Sequence, residues 1–286
     1  MTPFVWHCPR PSVMGIVNVT PDSFSDGGQF YDSGGAVDHA LQLVADGADI
    51  LDIGGESTRP GAAIVPLDEE LRRVVAVVER LAKRTTLPIS VDTSKAEVAR
   101  ACLAVGATII NDVTGLRDPA MVELVARTGA GVVVMHMQGD PRTMQVNPTY
   151  GDVVQDVSDY FAERIQTLID AGIARSAIVL DPGIGFGKTL EQTLQQLREL
   201  NKLQAFGLPV CLGVSRKGFL GQITGKPRTE RLAGSLAVAC FALAQGAAQI
   251  LRVHDVAAHA DAVKVWNAVN SCRGSLANSG QGEPAA

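Results

Sequence analysis

The sequence predicts a single-domain α/β fold, a (β/α)8 TIM barrel, on two observations. Eight short runs are almost continuously apolar, as expected for strands buried on both faces of a parallel sheet. Each run precedes a segment with helical periodicity, and eight such units in about 270 residues match the usual size of this barrel. A doubly wound sheet is the alternative, but it more often has a G-x-G-x-x-G turn after its first strand, which is absent here.

The elements can be assigned in order along the chain. Ser94 is expected to cap the third helix, and Asp118-Pro119 opens the fourth with proline at the first helical position. The predicted strands are VMGIVNV, ADILDIGG, PISVDT, TIINDVTG, GVVVMH, IVLDPG, PVCLGVS and QILRVH. The predicted helices cover 32–46, 66–84, 94–105, a stretch from 118, 151–171, 189–204, 229–245 and 255–270. We expect an N-terminal arm over 1–12, the barrel over 13–272 and a disordered, Gly/Ser/Pro-rich tail over 273–286.

The net charge and the cysteine count limit the kinds of partner and metal site that this protein could have. The formal net charge of -5 argues against nucleic acid, although a local cluster of cations can still bind a small anion. The five cysteines are odd in number and show no CxxC spacing, which argues against a disulfide framework or a zinc site and favours a reducing compartment. The sequence contains no signal peptide and no apolar stretch of transmembrane length. We therefore expect a cytoplasmic protein with no membrane partner.

Polar residues collect where the predicted strands end. In a barrel these ends meet at one rim, where barrel enzymes place their sites. A single aspartate after a strand is more often a cap, so Asp255 is expected to cap the eighth helix and Asp112 to satisfy loop amides. Capping does not explain all eight strand ends. The polar residues at the ends are Asn18, Glu56, Asp92, Asn111, His136, Asp181, Ser215, Arg252 and His254.

The residue types at the rim suggest two subsites. Asp92, Asn111 and Asp181 are rich in acceptors and suit a planar heterocycle with an N–H/NH2 edge. An internal salt bridge of the two aspartates to Lys217 is the alternative. Arg252 and His254 share one face of the last strand just before a helix, where many barrels bind phosphate, which favours an anion site.

Several long motifs carry a family resemblance. MGIVNVTPDSFSDGG, DIGGESTRPGA, DPGIGFGKT and GVSRKGFLG resemble the signature segments of the dihydropteroate synthases. VDTSKAEV, ATIINDVTG and LRVHDV resemble the same family in the same order, so the resemblance covers about 13–270. It implies condensation of a pterin diphosphate with 4-aminobenzoate to 7,8-dihydropteroate in folate synthesis.

The resemblance also implies roles for individual residues. The pterin pocket would comprise Asp92, Asn111, Asp181 and Lys217. The diphosphate site would comprise Asn18, Thr58, Arg252 and His254, with Asn18 as a ligand of Mg2+. The 4-aminobenzoate pocket, where sulfonamides would compete, would comprise Phe24, Arg59, Pro60, Phe186 and Ser215. The residues expected to act in catalysis are Asp92, Lys217, Arg252 and His254.

The rim chemistry favours loss of an anion over covalent catalysis. It offers no cysteine, Ser–His pair or free carboxylate placed as a nucleophile, whereas cations and Mg2+ stabilise a departing diphosphate. A Schiff base on Lys217 is the alternative, but the substrates need no such carbonyl chemistry. The competing functions are a pterin-dependent methyltransferase, which would not need the loop after the first strand or the SRK segment, and a non-catalytic pterin-binding protein, which would have lost rim residues.

The seventh predicted helix indicates the oligomeric state. Its sequence, LAGSLAVACFALAQGA, is apolar around nearly the whole circumference, whereas a barrel helix should have a polar outer stripe. A second buried face predicts a homodimer through this helix and its neighbours. Coverage by the N-terminal arm is the alternative.

Overall fold

Eight parallel strands form one sheet that closes on itself. The computed structural model describes residues 2–20, 33–57 and 63–277. The strand order is β6-β5-β4-β3-β2-β1-β8-β7. A parallel bridge between Leu180 and Val210 joins β6 to the segment entering β7, so the predicted (β/α)8-barrel is confirmed. The strands are β1 Ser12–Asn18, β2 Ile50–Gly54, β3 Ile89–Asp92, β4 Ile109–Asp112, β5 Gly131–Met135, β6 Ile178–Asp181, β7 Cys211–Leu212 and β8 Ile250–Val253.

Helices follow the strands as predicted, with differences after β6, after β7 and at the C-terminus. The sixth predicted helix ends early and continues as the 3-10 helix Leu200–Phe206, and α7 is an additional helix that the sequence did not reveal. The last helix runs past the expected boundary at residue 272. The helices are α1 Ser33–Ala45, α2 Leu67–Ala82, α3 Ala96–Ala104, α4 Pro119–Thr128, α5 Val153–Asp170, α6 Leu190–Arg198, α7 Gly218–Thr224, α8 Leu232–Ala244 and α9 Val256–Ala277.

The structure shows which of the predicted helix caps and loop contacts form. Asp118 caps α4 as predicted, accepting a 2.9 Å hydrogen bond from the backbone N of Ala120. The predicted cap at Ser94 is wrong, because α3 begins later and its N-cap is Lys95. Asp112 satisfies loop amides as expected, for its Oδ1 accepts from the backbone N of Thr114 over 2.8 Å. The carboxylate of Asp255, expected to cap the last helix, binds Arg216.

The N-terminal arm closes the lower end of the barrel. Phe4 and Trp6 pack against the inner layer of barrel side chains. The Trp6 indole donates a 2.8 Å hydrogen bond to the carbonyl of Ala177. The backbone N of Phe4 donates a 2.8 Å hydrogen bond to the carbonyl of Gly129. These bonds place the arm away from α8, which argues against the alternative that the arm covers that helix. The carboxyl ends of the strands are left to form the site.

Among the residues that the structure describes, no helix is long and apolar enough to cross a membrane.

Candidate active site

The carboxyl ends of the strands surround a cavity of about 710 Å3. This volume lies within the range of small-molecule sites, about 300–1,000 Å3. Nine of the predicted site residues line the cavity: Asn18, Asp92, Asn111, Asp181, Phe186, Ser215, Lys217, Arg252 and His254. The other four, Phe24, Thr58, Arg59 and Pro60, lie outside the described residues. The barrel thus brings together residues that are far apart in the chain.

Arg252 lies at the centre of a carboxylate cluster on the cavity floor. Its Nε donates to Asp52 Oδ2 and its Nη2 to Asp92 Oδ2, both over 2.6 Å. Asn111 Nδ2 also donates to Asp52 Oδ2, over 3.1 Å. Asp52 is fully buried, and its Oδ1 has no hydrogen-bond partner among the described residues. Asp52 was not among the predicted site residues. Its position inside an apolar strand could have indicated a buried ion pair, because carboxylates are almost never fully buried without a partner.

Burial changes the protonation of the two cavity carboxyls. Burial, together with the Asp52 charge, raises the pKa of Asp92 to about 7, because these effects outweigh the attraction of Arg252. Burial likewise raises the pKa of Asp181, partly offset by Lys217. Asp181 Oδ1 also accepts a 2.8 Å hydrogen bond from the backbone N of Gly183. Both carboxyls are therefore oriented and poorly hydrated, which suits recognition of a polar heterocycle.

Lys217 approaches the same floor from the end of β7. Its Nζ donates to the carbonyl of Ile184 and lies 4.4 Å from the centroid of the Phe186 ring. Burial lowers the pKa of Lys217 to about 8, with Asp181 acting in the opposite direction. The alternative of a salt bridge from both aspartates to Lys217 is therefore wrong for Asp92, whose ion pair is with Arg252.

A strained turn presents the SRK segment to the cavity. Arg216 has a left-handed φ of 57°, which costs about 1–3 kcal/mol for a residue other than glycine and persists only where surrounding contacts impose it. Those contacts are a 2.9 Å bond from the Arg216 backbone N to Ser235 Oγ and a 2.9 Å bond from its Nε to Asp255 Oδ2. The turn leaves Ser215 and Lys217 on the cavity wall.

His254 is bound by groups on both of its ring nitrogens. Nδ1 lies 3.0 Å from Ser215 Oγ, and Nε2 lies 3.3 Å from Nη2 of Arg228. Burial, together with the neighbouring Arg228, Arg252 and Arg216 charges, lowers the pKa of His254 to about 3. The imidazole is thus neutral at neutral pH. Ser215, predicted to bind 4-aminobenzoate, is engaged here in orienting His254.

The comparison with known proteins identifies the family. A family model described as pterin binding enzyme matches residues 14–254. A dihydropteroate synthase from Escherichia coli K12 is 51% identical over 92% of this chain and 93% of its own length. The chain belongs to the dihydropteroate synthases of the pterin-binding enzyme family. The resemblance seen in the motifs is thereby confirmed.

Solved structures of dihydropteroate synthases share this barrel. The Yersinia pestis protein, solved with a sulfonamide drug complex, superposes with a TM-score of 0.88 at 47% identity, covering 93% of this chain and 96% of that one. The Xanthomonas albilineans protein, solved with 4-aminobenzoic acid, gives 0.87 at 51% identity, covering 92% and 94%. The same protein with 7,8-dihydropteroate gives 0.84 at 48% identity, covering 93% and 95%. The pterin-binding barrel is therefore the shared framework.

In this member of the family, a buried lysine shapes the loop after β6. Lys188 is 4% exposed, and its Nζ donates to the carbonyls of Gly183 and Phe186, both over 3.0 Å. His136 Nδ1 lies 3.1 Å from the same Nζ. Gly183 has a φ of 62°, and an added Cβ would lie 1.9 Å from the His136 carbonyl, so only glycine fits. The loop thereby holds Phe186 against Lys217.

A second, partly buried lysine anchors the segment that leaves β2. Lys95 Nζ contacts the carboxylate of Glu56 and lies 2.5 Å from Glu70 Oε2. Glu70 is 1% exposed, and its Oε1 accepts a 2.7 Å bond from Thr93 Oγ1. Because Glu56 lines the cavity, its pairing with Lys95 reduces the negative charge presented to an anionic substrate. Lys95 and Glu70 were not among the predicted site residues, because they lie 25 residues apart in the chain and come into contact only in the folded protein.

Proposed function

We propose that this chain condenses (7,8-dihydropterin-6-yl)methyl diphosphate with 4-aminobenzoate, giving 7,8-dihydropteroate and diphosphate in folate biosynthesis. The observation that carries the proposal is a barrel-mouth cavity whose lining brings the buried carboxyls of Asp92 and Asp181 together with the cations Lys217 and Arg252. Relatives solved with 4-aminobenzoic acid and with 7,8-dihydropteroate support it. Among the site residues that the structure describes, no feature favours a methyltransferase or a non-catalytic pterin-binding protein.

We assign the pterin to the carboxyls on the cavity floor and the diphosphate to the side chains at the end of β8. Asp92, Asn111 and Asp181 would bind the N–H and NH2 groups of the pterin, and Lys217 would donate to its carbonyl. His254 and Arg252 would act on the diphosphate, together with Thr58. The pocket for 4-aminobenzoate and for competing sulfonamides would comprise Phe24, Arg59, Pro60, Phe186 and Ser215.

The cations at the rim favour a dissociative reaction. The bond between the pterin CH2 and the bridging oxygen breaks, and both of its electrons leave with diphosphate, whose charge the rim stabilises. The pterin ring delocalises the cation left at the CH2. The amine nitrogen of 4-aminobenzoate then forms the new C–N bond and releases a proton. The contacts of Lys217 and Asp92 would hold the pterin in place during both steps.

We propose Mg2+ as the cofactor, with Asn18 as its ligand from the protein. Asn18 lies at the end of β1 on the cavity wall and offers an amide oxygen, a hard donor of the kind Mg2+ prefers. Among the described residues no group of three or more His, Cys, Asp or Glu side chains could hold a metal ion. Asn18 would therefore be a single protein ligand, and diphosphate and water oxygens would complete the site. Bound Mg2+ would neutralise charge on the diphosphate.

The proposed function predicts diphosphate release only when both substrates react. Purified protein with Mg2+, the pterin diphosphate and 4-aminobenzoate is expected to release diphosphate and form 7,8-dihydropteroate in equal amounts. Tight binding of the pterin diphosphate without turnover would instead indicate the non-catalytic alternative. Methyl transfer without diphosphate release would indicate the methyltransferase.

Labelled substrate tests the order of bond breaking. With heavy oxygen in the bridging position and no 4-aminobenzoate, the label is expected to scramble into non-bridging positions, because the C–O bond breaks before the amine attacks.

The order of substrate binding is a separate prediction. Binding of 4-aminobenzoate or a sulfonamide, measured by calorimetry, is expected to be strong only when diphosphate is present. Absence of scrambling together with tight arylamine binding to the diphosphate-free enzyme would contradict this order.

We further propose that the enzyme is a homodimer in the cytoplasm, joined through α8 and α9. The outer face of α8 exposes Phe241, which is 48% accessible, within a row of small residues. Val265 and Val269 on the adjoining α9 are 65% and 61% accessible. Apolar side chains on two neighbouring helices form the kind of patch that a second copy covers. The small residues of the α8 row are Ala233, Ala237, Cys240 and Ala244.

Phe241→Glu is expected to convert the dimer to a monomer. Placing a charge on each copy within an apolar, two-fold interface leaves both carboxylates desolvated and unpaired. Sedimentation velocity at micromolar concentration measures the change. Leu194→Glu is the matched control, because Leu194 is an exposed apolar residue, 38% accessible, on α6. A wild-type protein that already sediments as a monomer would contradict the dimer.

A further inference from the structure

The loop after β6 is held by side chains rather than by secondary structure. Its glycines Gly183, Gly185 and Gly187 have φ values of 62°, 76° and 57°, so its backbone departs from both helix and strand geometry. Each of the five carbonyls from residue 183 to residue 187 accepts a hydrogen bond from a side chain. The donors to these carbonyls, in chain order, are Lys188, Lys217, Gln145, Lys188 again and Tyr150. Lys188 thus holds the loop at two points.

The ammonium of Lys188 is buried among neutral groups. Its Nζ lies 3.0 Å from the carbonyl oxygens of Gly183 and Phe186 and 3.1 Å from Nδ1 of His136. The side chain is 4% exposed, so these contacts replace nearly all of its hydration. An apolar residue at this position would avoid the cost of burying a cation. Stability alone therefore does not explain the lysine.

Both protonation states of Lys188 keep the loop carbonyls bound. Burial, together with the charge of Lys217, lowers the pKa of Lys188 to about 7, although Asp181 opposes this shift. The ammonium has three N–H donors, enough for two carbonyls and for Nδ1 of His136 as an acceptor. The neutral amine keeps two N–H donors for the carbonyls, and its lone pair accepts from Nδ1 when the imidazole proton lies there. The loop contacts therefore survive the titration of the lysine.

Two groups of this loop contact Lys217. The carbonyl of Ile184 accepts a hydrogen bond from Lys217 Nζ, and the Phe186 ring centroid lies 4.4 Å from the same Nζ. Lys188 binds the carbonyls of Gly183 and Phe186, which lie on either side of Ile184. A displacement of the loop would therefore move both the acceptor and the ring that fix the Lys217 ammonium.

We propose that Lys188 is a positioning residue for the reaction and acts through Lys217, an inference that rests on the proposed function. By binding the carbonyls on either side, Lys188 keeps the Ile184 carbonyl and the Phe186 ring in contact with the ammonium that is assigned to the pterin carbonyl. Lys188 does not itself bind a substrate. Its effect on the rate arises because a displacement of about 1 Å at a reacting group can cost about 100-fold.

A double-mutant cycle tests whether Lys188 acts through Lys217. Lys188→Met is expected to lower kcat/KM for the pterin diphosphate about 10-fold in the wild-type background and less than about twofold in Lys217→Met. Lys188→Gln is expected to recover part of the loss, since its amide keeps two N–H donors for the loop carbonyls. Additive losses in the double variant, as from a direct substrate contact or a general loss of stability, would overturn the proposal.

Tyr150→Phe tests the same loop without removing a buried charge. The variant loses the hydroxyl that donates to the Gly187 carbonyl over 2.8 Å. We expect kcat/KM to fall about 2- to 5-fold, the range for one neutral hydrogen bond, and only when Lys217 is present. Tyr160→Phe is the matched control, because its hydroxyl donates to the carbonyl of Met135, outside the loop. Equal losses in the two variants would show that the loop does not direct Lys217, which overturns the proposal.

Hydrogen exchange in the ligand-free protein separates this inference from the proposed function. The backbone N of Phe186 donates to the carbonyl of Gly183 over 2.9 Å, so its exchange is expected to be about 10-fold faster in Lys188→Met. The amide of Thr193 in α6 is expected to exchange as in wild type. Unchanged exchange at Phe186 would overturn the inference whatever the activity. Faster exchange at Phe186, with a wild-type protein that forms no 7,8-dihydropteroate, would refute the proposed function and leave the role of Lys188 in the loop intact.

Discussion

Replacing Arg252 with methionine is expected to lower the free energy of unfolding by about 3–5 kcal/mol, the usual loss when one partner of a buried ion pair is removed. Asp52 is fully buried, and both it and Asp92 would lose a 2.6 Å charge-assisted hydrogen bond. Urea denaturation measures the change. Arg10→Met is the control, since Arg10 is half exposed in its pair with Asp49 and surface pairs contribute only about 0–1 kcal/mol.

The loss in Arg252→Met is expected to depend on pH. Burial raises the pKa of Asp92 in the folded protein to about 7, above its value in the unfolded chain. The preference of the folded protein for the protonated carboxyl therefore stabilises the fold fully below the unfolded pKa, and this stabilisation is lost as pH rises through about 7. Removing Arg252 raises that pKa further, because the guanidinium was favouring the carboxylate. The difference from wild type is therefore expected to be larger at pH 8 than at pH 5. A pH-independent loss would contradict the assignment of the ion pair.

Arg252→Met is also expected to distinguish the two substrates. The Michaelis constant for the pterin diphosphate should rise far more than the constant for the arylamine, because Arg252 orients Asp92 on the cavity floor and is assigned to the diphosphate site. Steady-state kinetics at saturating concentrations of the second substrate separates the two constants. Unchanged Michaelis constants in a folded variant would show that both assignments are wrong.

Replacing Lys217 with methionine is expected to lower kcat/KM for the pterin diphosphate by about 10- to 100-fold, the range for losing one hydrogen bond from a charged donor, here the bond assigned to the pterin carbonyl. Methionine keeps an apolar stem against Phe186, so the fold is expected to survive. Diphosphate release under steady-state conditions measures the effect. Lys202→Met, at an exposed lysine, is the control and is expected to retain wild-type activity.

The same lysine predicts the alkaline limb of the pH profile. Its pKa is lowered to about 8, so the ammonium is lost as pH rises through about 8, while Asp92 gains its carboxylate as pH rises through about 7. If both charged forms are needed, kcat/KM is expected to be highest between about pH 7 and 8. In Lys217→Arg the alkaline limb should disappear, because a guanidinium stays charged. An alkaline limb that persists in Lys217→Arg would belong to another group.

The architecture and most of the site could be predicted because they depend on local patterns. A strand buried on both faces must be apolar almost throughout, so eight such runs marked the eight strands. A parallel barrel then gathers every strand end at one rim, so polar residues such as Asn18 and His254 were expected to meet there. The additional helix α7 was not predicted, since its seven residues are too few for a clear periodicity.

The partners of the site residues were decided only by the tertiary structure. Arg252 binds Asp52 and Asp92, which lie 200 and 160 residues away in the chain. Lys188 falls within a glycine-rich motif of the sequence, yet its ammonium is buried and holds the loop after β6. These contacts depend on where side chains point across the barrel lumen and on how strongly burial desolvates them. A linear sequence specifies which charges exist, but the packed barrel determines which of them neutralise one another and which line the cavity.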